Sequence, residues 1–84
     1  MDFMLEEEMI DLLTFCLKNP DSDEIDSKKS RLKEIGNEIF ADGGVDAMEN
    51  FFFVVENRIE AEIEKSPKPF RSLWNNISDA WSYP

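Results

Sequence analysis

The chain has 84 residues, 42% hydrophobic and 12% aromatic, with 19 acidic and 9 basic side chains and a net charge of −10. That apolar content argues against a disordered chain, and the length fits one small helical domain over residues 1–84. The negative field repels phosphate backbones and anionic membranes, which argues against direct nucleic-acid binding and membrane association.

The first predicted helix covers about residues 2–18. Phe3, Leu5, Met9, Leu12, Leu13, Cys16 and Leu17 recur at helical spacing, with Glu6, Glu7, Glu8 and Asp11 between them. Asn19-Pro20 stops it, because a residue before proline is pushed out of the helical region. The second predicted helix covers about residues 22–42, capped by Asp21 with Glu24 three residues on, or begins later, at Ser27. Its apolar stripe is Leu32, Ile35, Ile39 and Phe40, and Gly36 lies within it. Glycine inside a helix costs about 1 kcal/mol relative to alanine. Close approach of another helix at Gly36 would offset that cost.

Gly43-Gly44 breaks the pattern, and Asp46 with Glu49 is a second capping pair. The third predicted helix covers about residues 46–65. It contains Phe51-Phe52-Phe53, which could equally be a strand by apolar content alone. The flanks decide for helix: Met48, Phe52, Val55, Ile59 and Ile63 step by three and four. At 100° per residue, Phe53 points about 160° from Val55, beside Glu49, Glu56 and Glu60. An aromatic on an acidic face is either covered by another part of the chain, exposed by chance, or an anchor for another molecule. Phe53, Glu49, Glu56 and Glu60 are therefore the candidate partner contacts.

After Ser66-Pro67-Lys68-Pro69, a fourth helix is expected over about residues 69–82, from the spacing of Phe70, Leu73, Trp74, Ile77, Ala80 and Trp81. Residues 67–84 carry two bases and one acid, so this is the only segment that is not acidic. It suits docking onto the acidic remainder, with Lys68 and Arg71 near the junction.

From Leu32 onward the chain resembles a loose group of short uncharacterised microbial helical proteins. The residues that carry the resemblance are Ile35-Gly36, Gly43-Gly44, Met48, and Trp74, Ile77 and Trp81. The group has Trp-Asp-Gly-Ile-Gly before its last tryptophan. Here that stretch is Trp74-Asn75-Asn76-Ile77-Ser78-Asp79-Ala80-Trp81, without the glycines and one residue longer. The resemblance implies a helical module and carries over no activity.

Chemistry-bearing patterns are sparse. There is no histidine, the commonest general base and zinc ligand. Cys16 is the only cysteine, so no intramolecular disulfide forms, and a cytoplasmic, reducing compartment is expected. The acidic start, without a basic n-region, does not read as a signal peptide. Glu56 with Glu60, and Glu60 with Glu64, lie one turn apart and could hold a divalent cation or act as acid and base. A solvated face is the plainer reading. Asp21 to Asp26 is not a calcium loop, because Ile25 and Asp26 stand where an oxygen ligand and a glycine are needed. Met9 to Leu13 resembles a helical docking motif, although such patterns arise by chance in any amphipathic helix and core packing is the favoured reading.

These observations predict an all-α bundle of three to four helices, with no catalytic residue, cofactor or metal. The expected function is a small acidic non-enzymatic protein-interaction module, binding a protein partner or copies of itself. The alternative is an acidic inhibitor or immunity-type protein that masks the basic nucleic-acid-binding site of a partner. A carboxylate-based metal enzyme rests on acid density alone.

Overall fold

The first helix forms as its apolar spacing requires. The structure, a computed structural model, describes residues 3–84, and the expected helix start at Asp2 lies outside them. Helix α1 runs Phe3–Lys18. Met9, Leu12, Leu13 and Cys16 are buried along one side of it, so the apparent docking motif is core. Asn19 ends α1: its backbone N–H and its side-chain amide both donate to the Phe15 carbonyl, at 2.8 and 3.1 Å.

Two successive turns then lead to α2, Ile25–Ile63, which begins at neither Ser22 nor Ser27. Asp21 is not its cap. The Ser22 hydroxyl accepts the Glu24 N–H instead, so the local side-chain bond closes one turn before the helix. Leu32, Ile35 and Ile39 are buried, but Phe40, expected in the stripe, is exposed.

Gly44 divides α2 into two arms, residues 25–43 and 45–63. Its φ of 73° and ψ of −164° fall where essentially only glycine is found, and the space beyond its missing Cβ is open. Backbone conformation alone therefore requires glycine here. The second arm ends on Glu64, in the left-handed region, whose N–H donates to the Glu60 carbonyl.

Arginines fasten the helices together. Arg31 on the first arm forks onto both carboxylate oxygens of Glu8 on α1, at 2.6 and 2.8 Å. The same contact holds the Glu8 carboxyl below the usual carboxylate range. Arg58 on the second arm grips Glu6 and Glu7 of α1.

The closing segment departs from the expected fourth α-helix. It is a 3-10 helix, Lys68–Trp74, followed by turns. The hydrogen bonds from Phe70 to Pro67, Asn75 to Ser72, Ile77 to Trp74 and Trp81 to Ser78 all span three residues, and Asn76 adopts a positive φ of 78°. Packing explains the difference. Residues seven apart on an α-helix stand about 10 Å apart along its axis. Tight turns instead bring the rings of Trp74 and Trp81 to 5.2 Å, both against Phe52. Each buried indole also finds a backbone acceptor: Trp74 donates to the Leu32 carbonyl and Trp81 to that of Arg71.

Gly36 does permit a close approach, but of an indole rather than a helix. A Cβ there would stand 2.6 Å from two atoms of the Trp74 ring. The architecture is all-α, with no strand among the described residues. None of the helices is long and apolar enough to cross a membrane.

Candidate functional site

The second arm of α2 separates its three phenylalanines. Phe51 and Phe52 are buried, while Phe53 is 59% exposed. Helical geometry forces this, because successive residues turn by 100° and the core covers one side only. Asp46 and Asn50 precede Phe53 on its outward side and Asn57 follows, all exposed. The Asn57 amide donates back to the Phe53 carbonyl at 2.9 Å, which ties it to its own helix.

The four predicted contact residues do not all share that face. Glu60 lies beside it, half-buried, and accepts the Ser66 hydroxyl at 3.0 Å. Glu49 is half-buried at the edge of the closing segment. Glu56 is turned inward and only 6% exposed, which removes it from the outer surface. The reason is Arg71, which the closing segment carries over the arm. Its Nε donates to Glu56 at 3.2 Å, and its Nη1 stands 3.5 Å from Glu49.

Arg71 is the centre of a small cluster. Its guanidinium lies 4.9 Å from the Phe52 ring centroid, 5.1 Å from Tyr83 and 5.9 Å from Trp81. The Tyr83 hydroxyl accepts from Arg71 at 3.1 Å and donates to Glu49 at 2.8 Å. That donation to a carboxylate, helped by burial, pushes the phenol above its usual value. Asn75 pairs with the Tyr83 backbone through both an N–H and a carbonyl contact, so the tail is held at several points.

The sequence places Arg71 near the junction but does not reveal this role, and nothing local to the chain points to Tyr83. The available signal was that Arg71 is the only arginine in the one non-acidic segment. Tyr83 offered none, because its partner Glu49 is 34 residues away.

The surface beside the cluster is an open cleft of about 400 Å³, lined by Lys68, Pro69, Arg71, Tyr83 and Pro84. A second groove, about 320 Å³, lies elsewhere, between Leu5 on α1 and Glu38, Ile39, Asp42 and Phe51 on α2. Cys16 is buried, and desolvation raises its thiol pKa, so it is poorly nucleophilic. Glu56 and Glu60 are engaged by different groups, Arg71 and Ser66. Among the described residues, no three acidic or thiol side chains converge as a metal site. Searches of protein-family models, of curated proteins and of solved structures return no match to this chain.

Proposed function

We propose that the chain is a small non-enzymatic protein-interaction module, and that its contact face is the outward side of the second arm of α2. One observation carries this reading: Phe53 stands 59% exposed on a rigid helix, between polar side chains. A large ring with few rotatable bonds, inside a polar rim, is the composition of an interface centre. The face is also firmly placed. Arg58 fastens the same arm to α1, and Arg71 fastens it to the closing segment. A surface held on both flanks loses little further entropy when a partner binds.

The reading is tested by cross-linking affinity capture from extract of the protein's own cells. Wild type, Phe53→Ser and Phe40→Ser serve as baits. Phe40 is the internal control, since it too is an exposed phenylalanine on α2. A protein retained by wild type and by Phe40→Ser, but lost with Phe53→Ser, is the expected outcome. Identical capture by all baits would refute it.

A further inference from the structure

Building on the interaction-module reading, we propose that the Phe53 face receives a cationic segment of another protein, bearing arginine or lysine beside an apolar side chain, and not a second copy of this chain. The second arm, residues 45–63, carries a single base, Arg58, and that base is spent on Glu6 and Glu7. Its outward side presents Asp46 and Glu60, two turns before and after Phe53, with no basic side chain of the arm between them, while Glu49 at its edge is already met by Arg71 and Tyr83. Two copies meeting face to face would set these acids against each other, each copy bearing a net −10. The other arginines offer no relief, because Arg31 and Arg71 are also committed to carboxylates of their own fold. A contact between this face and the lysines of a further copy would be head-to-tail, and would build open chains unless its rotation closed a ring.

The fold already displays the pairing proposed. Phe52 and Glu56, one turn apart, together hold Arg71: the ring takes the guanidinium face and the carboxylate takes an N–H. Lys28 stands over Phe15 in the same manner, 5.0 Å from the ring centroid. On the outward side, Asp46 and Glu60 flank the Phe53 ring two turns away in either direction. There the ring is exposed and a cation must come from outside. The net charge would draw such a segment in, and the ring would give it a place to stop.

The probe is a fluorescein-labelled amphipathic peptide of arginine and leucine, compared with one of equal charge in which serine replaces leucine. Anisotropy titrations are run at physiological ionic strength on wild type and Phe53→Ser, with sedimentation equilibrium on both. Because Phe53 is exposed, the variant should keep its melting curve, which is recorded alongside. The expected result is a monomer that binds the arginine–leucine peptide about tenfold more tightly than Phe53→Ser does. The arginine–serine peptide should lose much less. If the variant binds the arginine–leucine peptide unchanged, while wild type self-associates and the variant does not, the occupant is a second copy. That outcome overturns this inference and leaves the interaction module standing. If neither peptide binding nor self-association depends on Phe53, both readings fail.

Discussion

Trp74→Ala lowers the stability of this fold by about 3–5 kcal/mol. The indole is almost wholly buried, fills the notch left by Gly36 and donates to the Leu32 carbonyl at 2.8 Å. Removing it leaves a cavity among Leu32, Phe52 and Trp81. It also withdraws the long-range hydrogen bond that ties the closing segment to the first arm. The loss is a large share of the stability of any small domain, about 5–15 kcal/mol. Thermal melts should show a fall of more than about 10 °C, at roughly 4–8 °C per kcal/mol for a domain of this size. Trp74→Phe keeps much of the apolar burial but cannot donate, so its loss should be intermediate. Gly36→Ala attacks the same contact from the other side, forcing a methyl against the ring at a cost of about 1–3 kcal/mol. Losses under about 1 kcal/mol for both Trp74→Ala and Gly36→Ala would mean that the closing segment is not part of the core.

The second large effect concerns Arg71. Arg71→Met strands the inward-facing carboxylate of Glu56, whose side chain is 8% exposed. Leaving one partner of a buried pair alone costs about 3–5 kcal/mol. Neutralising the stranded group should then restore stability, so Arg71→Met with Glu56→Gln is expected to be more stable than Arg71→Met alone. The backbone carbonyl of Arg71 still accepts the Trp81 indole in these variants, so the comparison isolates the side chain. Urea unfolding of both single variants and the pair gives the coupling, expected at about 1–3 kcal/mol. A pair no more stable than Arg71→Met would contradict the clamp.

Much of this arrangement could be read from the sequence, for identifiable reasons. The apolar spacing of α1, the stop at Asn19-Pro20 and the break at Gly43-Gly44 are local signals, and local geometry decides them. The outward direction of Phe53 follows from helical rotation once Val55 and Phe52 are placed inward, but the absence of another part of the chain over it does not, and the structure corrects the expectation of a covered ring by leaving it 59% exposed. The closing segment reads as an α-helix because Trp74, Ile77 and Trp81 fit that spacing as well as they fit the successive tight turns they occupy. What separates the two is a pair of indole N–H groups seeking acceptors, and the Leu32 carbonyl that satisfies one of them is 42 residues away. Glu56 reads as an outward acid for a related reason. It lies on the edge between the buried and outward sides, and only the arrival of Arg71 decides which way it serves.

The contact face itself is tested most directly by following backbone amide shifts by NMR while the arginine–leucine peptide is added. The largest movements should fall on Asn50, Phe53 and Asn57, with those near Leu5, Ile39 and Asp42 left in place. Movements concentrated at Leu5, Ile39 and Asp42, with the second arm unmoved, would place the contact in the other groove and contradict the assignment to Phe53.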